Sequence, residues 1–120
     1  MYIKLLKSKI HRAIITETDL EYEGSITIDS SLMKDAKLYN HEKVHVLNIT
    51  NGNRFETYAI PGKSGSGEIC VNGAAAHLVN LKDKIIIVSY CQIESSEADS
   101  FHPTILLVNE NNQVSKKIDK

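Results

Sequence analysis

A chain of 120 residues and 13.4 kDa suits one domain, and a domain of that size buries roughly two-thirds of its unfolded surface. Its 42% hydrophobic and 24% charged residues are the composition of an ordinary soluble protein and exclude a disordered segment. A net charge of -1 and a pI near 6.5 provide no general basic field, so neither nucleic acid nor an anionic membrane is expected as a partner held by bulk charge.

Short runs of valine, isoleucine and threonine recur along the chain, separated by Gly, Asn, Ser and Asp, which predicts a mainly β protein. The first strand is predicted from Tyr2 to about Thr16. A period of two sets Lys7, Lys9 and His11 on one face and Ile10 and Ile14 on the other. The amino terminus has neither a long apolar segment nor a small-residue cleavage site, so cytoplasmic residence is the default expectation. Tyr22 to Asp29 reads as a second extended segment broken at Gly24, and Asp29-Ser30-Ser31 supplies capping side chains for a short helix through Leu38. Val44 to Thr50 is strand again. Asn51-Gly52 then reads as a two-residue hairpin turn into a strand from Arg54 to Ile60.

The stretch Pro61-Gly62-Lys63-Ser64-Gly65-Ser66-Gly67 has turn-forming composition and is expected to be an exposed, mobile loop; it lacks the spacing of a P-loop. Glu68 to Val71 is predicted as strand and Asn72 to Ala76 as the start of a short helix. A buried strand from Ile85 to Tyr90 precedes a polar helix or loop from Glu94 to Ser100. Thr104 to Val108 reads as a last strand, and Asn109 to Lys120 as a polar tail that can fray. The longest aliphatic runs, Ile85-Ile86-Ile87-Val88 and Ile105-Leu106-Leu107-Val108, fall far short of the roughly 20 residues that span a bilayer. Cys70 and Cys91 lie among apolar strand residues without CxxC spacing and read as reduced core thiols. His41, His45, His77 and His102 are scattered, with no metal-binding spacing, so no metal is expected.

Four clusters stand out against this background: Lys9-Ile10-His11-Arg12, Tyr22-Glu23-Gly24-Ser25, Asn51-Gly52-Asn53-Arg54-Phe55-Glu56-Thr57-Tyr58, and Val71-Asn72-Gly73-Ala74-Ala75-Ala76. Gly24-Ser25 taken alone reads as a turn. Together, and in this order from Lys9 to about Tyr90, the clusters resemble the pyruvoyl-dependent, self-processing aspartate 1-decarboxylases. The resemblance implies a small double-psi β-barrel with short helices, assembled as a homotetramer with sites near protomer boundaries. It also implies a zymogen cut between Gly24 and Ser25 into residues 1–24 and 25–120, with a maturation helper protein as a further possible partner. Ser25 would become a covalent pyruvoyl group, with no PLP and no metal, whose ketone forms a Schiff base with L-aspartate and accepts the electrons released with carbon dioxide. The products would be β-alanine and carbon dioxide, feeding pantothenate synthesis.

At Gly24, the absence of Cβ would permit a strained or positive-φ geometry that opens its carbonyl to the Ser25 hydroxyl. Arg54, with its planar fork, would clamp a substrate carboxylate and Lys9 would supply a second positive charge; as isolated residues, both read as surface cations. Tyr58 would be the proton donor after decarboxylation and Thr57 would contact substrate and help polarise the Gly24 carbonyl, although strict alternation sets Thr57 on the opposite face from Arg54 and Tyr58. Asn72, Gly73, Ala74 and Ala75 would bind substrate at a helix start, while local chemistry alone makes Asn72 a helix cap. His11 and Tyr22 would support the site. Two departures from the family pattern, Leu47 where some relatives carry an aromatic and the glycine-rich Pro61–Gly67 stretch, touch no assigned role. The rival readings are a non-catalytic small β-barrel binding module, in which Gly24-Ser25 is an uncleaved turn, and a pyruvoyl decarboxylase for another amino acid.

Overall fold

The computed structural model describes residues 1–119 and is mainly β. Nine strands and three short helices follow in the order β1 (Tyr2–Ile14), β2 (Glu17–Asp19), β3 (Ser25–Asp29), α1 (Ser30–Ala36), β4 (Lys43–Asn48), β5 (Arg54–Gly62), β6 (Ile69–Asn72), a 3-10 helix (Gly73–Leu78), β7 (Lys84–Glu94), a second 3-10 helix (Ser95–Ser100), β8 (Thr104–Val108) and β9 (Val114–Ile118). The strands form one continuous ladder in the order β2-β6-β3-β5-β4-β7-β1-β8-β9, wrapped around a single core as a small, barrel-like domain. Three of the pairings are parallel, β1 with β8, β2 with β6 and β3 with β5. Parallel neighbours cannot be joined by a tight turn, so the chain leaves β3 through α1 and β4 before β5 returns beside it.

Alternation sets the core. Ile26 and Ile28 of β3, Ile69 and Val71 of β6, Val44 and Val46 of β4, and Ile85 and Ile87 of β7 are buried on the inner face, each at intervals of two as a half-buried strand requires. Along β1 the alternation slips twice, at register shifts between Leu6 and Ser8 and between His11 and Ala13. The first slip diverts Lys7 from the Lys9 and His11 row. Its ammonium instead meets the Lys37 carbonyl and the Glu42 carboxylate. The second slip falls at Arg12, whose φ of 68° is uncommon for a non-glycine residue.

Several loops differ from expectation, and side-chain tethers explain each case. The β4–β5 connection is a six-residue turn, Asn48 to Asn53, between the pair Leu47 and Arg54 rather than a two-residue hairpin. The Asn48 side chain accepts the Thr50 and Asn51 N–H groups, and of the Asn51-Gly52 pair Gly52 alone has positive φ, +80°. The glycine-rich loop is held rather than free: Asp29 accepts the Gly65 N–H at 3.0 Å and the Gly67 N–H at 2.8 Å, besides capping α1 through the Ser31 N–H. The tail does not fray at Asn109 either. Asn112, 2% exposed, donates to the carbonyls of Ile14 and Gly67 and accepts the Ile14 N–H, after which β9 pairs with β8.

Burial works against the Asp29 carboxylate, but the Ser31 hydroxyl and the Gly67, Ser31 and Gly65 N–H groups outweigh it and hold the pKa below the ordinary 3.8. Asp29→Ala strands these donors and is expected to cost about 2–4 kcal/mol in denaturant unfolding at pH 7. Because the folded pKa is depressed, that contribution is present above the unfolded value of 3.8 and is lost as pH falls through the folded one. The gap between wild type and variant should therefore narrow in acid.

Candidate active site

The end of the barrel around Ser25 is built by β3 and β6. These strands run antiparallel, with Ser25 opposite Asn72 and Thr27 opposite Cys70. Their neighbours Ile26, Ile28, Ile69 and Val71 face the core, so Ser25, Thr27, Cys70 and Asn72 form a block on the other face. Ser25 is 0% exposed. Its Oγ accepts a hydrogen bond from Asn72 Nδ2 at 2.9 Å and donates to the Glu23 carbonyl at 3.3 Å, which holds the hydroxyl against the backbone of its own bend. Asn72 Nδ2 also donates to Thr27 Oγ1 at 3.0 Å, and Asn72 Oδ1 accepts the Cys70 thiol at 3.1 Å. Asn72 occupies the cap position of the 3-10 helix yet makes no side-chain cap hydrogen bond; its amide is turned wholly to Ser25 and its neighbours.

The strained glycine is Gly73, not Gly24. Gly24 lies outside the left-handed region, and a Cβ added there meets nothing within 4 Å. Gly73 has φ +72°, and a Cβ on it would lie 2.8 Å from Gly24 Cα, 2.9 Å from Gly24 N and 3.1 Å from the Tyr22 carbonyl oxygen. The Tyr22-Glu23-Gly24 bend and the start of the 3-10 helix thus pack backbone on backbone beside Ser25, an approach only glycine at 73 permits. Beyond it, Ala74 is exposed and Ala75 half-buried against the core.

Thr57 and Tyr58 arrive on β5. The parallel register pairs Ile26 with Ala59, and one step back sets Tyr58 level with Ser25 and on its face. Thr57, one residue earlier, turns to the opposite face with Phe55 and Ala59, as alternation requires. Tyr58 is half-buried and meets the His41 ring edge-on at 5.8 Å between centroids.

Arg54, Lys9 and His11 are elsewhere. Arg54 precedes Tyr58 by four residues, about 13 Å of strand, and lines a concavity of about 200 Å³ with Leu47, Asn48, Ile49, Gly52, Asn53 and Ile86. Cross-strand pairing places His11, Ile86, Leu47 and Arg54 in one row, and Lys9, Val88, His45 and Glu56 in the next. His11 and Arg54 are thus three strand spacings apart, about 14 Å. All lie on the outer face of β1, β7, β4 and β5. His11 has its pKa lowered, by burial and by the charges of Lys9 and Arg12, so the imidazole is neutral at pH 7. Among the described residues its Nδ1 is buried without a hydrogen-bond partner. A larger concavity on the same face, about 500 Å³, is lined by Lys4, Lys43, His45, Tyr90, Cys91 and Gln92 and does not reach Ser25.

A protein-family model described as aspartate decarboxylase matches residues 1–115. The chain belongs to the aspartate decarboxylase family. Aspartate 1-decarboxylase of Caldicellulosiruptor bescii is 55% identical over 120 residues, covering 100% of this chain and 94% of the relative. Aspartate 1-decarboxylases of Clostridium botulinum type Ba4 and of Thermoanaerobacter pseudethanolicus are each 55% identical, over 116 and 109 residues, covering 97% and 91% of this chain and 91% and 93% of theirs. The family implies a pyruvoyl cofactor, and Ser25 suits it: the position is sealed, and its oxygen is served by an amide N–H that a carbonyl oxygen accepts as readily as a hydroxyl does. Among the described residues no group of three or more His, Cys, Asp or Glu could hold a metal ion, and no helix is long and apolar enough to cross a membrane.

Cys70 and Thr27 are members of the Ser25 block that the sequence reading did not assign to it. Their signal was present as spacing: Cys70 and Asn72 are two apart on one strand, as are Ser25 and Thr27 on its neighbour.

Proposed function

We propose that this chain decarboxylates L-aspartate to β-alanine and carbon dioxide for pantothenate synthesis, after cutting itself between Gly24 and Ser25. The observation that carries this reading is the buried Ser25 hydroxyl, fixed between Asn72 Nδ2 and the Glu23 carbonyl in a chain of this family. The Ser25 Oγ adds to the Gly24 carbonyl carbon, the Gly24–Ser25 C–N bond breaks, and the Gly24 acyl group passes to oxygen while its nitrogen takes up a proton. Loss of the Ser25 Cα proton expels the Gly24 carboxylate, leaving residues 1–24 as one chain and a dehydroalanine at position 25. Water then replaces the nitrogen, which leaves as ammonia, and a pyruvoyl group heads residues 25–120. No oxidant is consumed.

The Asn72 N–H stabilises oxygen at position 25 through these steps, whereas Thr57, on the opposite face of β5 from Tyr58, would polarise the Gly24 carbonyl only if the strand twists there. When formed, the pyruvoyl group supplies a ketone that accepts electrons from a substrate bound through its amine. Tyr58, level with residue 25, returns a proton to the former α-carbon. Gly73 lets the bend that begins at Tyr22 pack against the start of the 3-10 helix, and the small side chains of Ala74 and Ala75 beyond Asn72 are proposed to contact the substrate.

Arg54 holds one substrate carboxylate and Lys9 offers a second cation. Neither residue is hydrogen-bonded to the Ser25 block among the described residues, and none of the three concavities includes Ser25, Tyr58 or Asn72. A homotetramer with sites near protomer boundaries accounts for this, since the outer face of one copy then completes the Ser25 end of another. His11, neutral beside Lys9, adds no third charge. A maturation helper protein is a further partner to be sought if the purified chain cuts slowly.

Intact mass of freshly purified, denatured protein tests the cut, and β-alanine release from aspartate tests the reaction. A single 13.4 kDa species that persists on incubation favours a non-catalytic barrel. In the cleaved enzyme, Arg54→Ala is expected to raise the KM for aspartate about tenfold to a hundredfold while cleavage proceeds normally. Equal activity in that variant would remove the carboxylate clamp, and a gain on another amino acid would point to a different substrate.

A further inference from the structure

We propose that Cys70 is a positioning residue for self-cleavage: its thiol holds the Asn72 amide in the one orientation that aims an N–H at Ser25 Oγ. This rests on the reading of Ser25 as the processed residue.

The two ends of an asparagine amide are chemically opposite and nearly identical in shape. The hydroxyls of Ser25 and Thr27 both donate and accept, so they tolerate either end. The thiol leans one way, because its sulfur is a weaker acceptor than a hydroxyl oxygen and its hydrogen on Oδ1 is the favoured arrangement. Cys70 Sγ donates to Asn72 Oδ1 at 3.1 Å, which leaves both N–H bonds of Nδ2 for Ser25 Oγ at 2.9 Å and Thr27 Oγ1 at 3.0 Å. The fold brings the four groups together without recourse to loops: Cys70 faces Thr27 and Asn72 faces Ser25 across the β3–β6 pair, and all four side chains share one face. Both Cys70 and Asn72 are 3% exposed, so water does not compete for the amide.

The thiol is also kept protonated. On its other side β2 sets Glu17 opposite Cys70 and Asp19 opposite Asn72. Burial pushes the thiol up to about 12, and the Glu17 carboxylate, then Glu68 and Asp19, add to the shift. Glu17 lies close enough to attract the thiol hydrogen, while the hydrogen bond that meets distance and angle goes to Asn72. A cysteine in this setting is a poor nucleophile and a persistent donor.

With the amide fixed, Ser25 Oγ receives an N–H, and its own hydrogen is directed to the Glu23 carbonyl. An N–H at that oxygen favours the negative charge it acquires as the hydroxyl proton leaves. A flipped amide would present Oδ1 instead, repelling that charge and tying up the hydroxyl hydrogen.

The test is the rate at which the purified 120-residue chain converts to residues 1–24 and 25–120, read by intact mass. Cys70→Ala, and Cys70→Val as a variant that fills the thiol's space, are expected to cut about tenfold more slowly, the worth of one hydrogen bond in a barrier. Cys70→Ser restores a donor but brings an oxygen that also accepts, so it is expected to cut at a rate between those of wild type and Cys70→Ala. In an Asn72→Ala background, adding Cys70→Ala should change the remaining rate by no more than about twofold, because Cys70 acts only through Asn72. Wild-type rates in folded Cys70→Ala or Cys70→Val overturn the proposal. So does Cys70→Ser cutting more slowly than Cys70→Ala, or a further tenfold loss in the Asn72→Ala background. A wild-type chain that never cuts fails on a separate count, since it overturns the Ser25 reading itself.

Discussion

Ser25→Ala is expected to leave one uncut chain and no β-alanine release, a loss limited only by the assay. Alanine keeps the backbone of β3 and nearly the same buried volume but removes the hydroxyl proposed to attack the Gly24 carbonyl. It also strands one Asn72 N–H, a cost of about 1–2 kcal/mol in stability that leaves the fold intact. The two rival readings part here. If Gly24-Ser25 were merely a turn, wild type and variant would each show one uncut mass. If the chain were a pyruvoyl enzyme for another amino acid, wild type would cut, Ser25→Ala would not, and aspartate would still fail. Normal turnover by Ser25→Ala would refute the processing reading outright.

How much of this was legible beforehand depends on how local the information is. Strand existence followed from period-two alternation where the strands bury apolar side chains, as Ile26, Ile28, Val44, Val46, Ile85 and Ile87 do, and the two strands not anticipated, β2 and β9, bury no side chain fully. What failed was long-range tethering. Nothing near Gly65 or Gly67 announces that Asp29, some 36 residues away, will accept their N–H groups, and nothing in the tail announces that Asn112 will clamp Ile14. The same limit applied at the site. Ser25, Asn72 and Gly73 could be nominated from short clusters, but that Asn72 turns from the helix it begins to meet Ser25 depends on the β3–β6 register. Alternation did anticipate that Thr57 and Tyr58 face opposite ways, and they do. The separation of Lys9 and Arg54 from Ser25 is a property of the wrapped sheet, invisible to spacing within any one strand.

Glycine was expected to matter at 24, and the structure moves that demand to 73, which yields the second large effect. Gly73→Ala carries two costs that can be separated. A Cβ at φ +72° is strained by about 1–2 kcal/mol, and its approach to 2.8 Å from Gly24 Cα and 2.9 Å from Gly24 N adds an overpacking cost of about 1–3 kcal/mol, because both contacts are backbone and cannot rotate away. The cheapest relief is to push the Tyr22-Glu23-Gly24 bend outward, which moves the scissile carbonyl relative to Ser25 Oγ. Displacements near 1 Å from a reactive geometry cost on the order of a hundredfold in rate, so self-cleavage of Gly73→Ala should slow by about that factor in a protein that still folds. Gly65→Ala is the control: its φ is +79° and nothing lies within 4 Å of an added Cβ, so it pays the conformational strain alone and should cut at the wild-type rate. Comparing the two by intact mass over time, with unfolding measured on each, separates lost stability from lost alignment. Equal cutting by both would mean that the bend does not depend on its contact with Gly73. A slow Gly73→Ala beside a normal Gly65→Ala would show that the glycine needed for cleavage lies across the site from the bond that is cut.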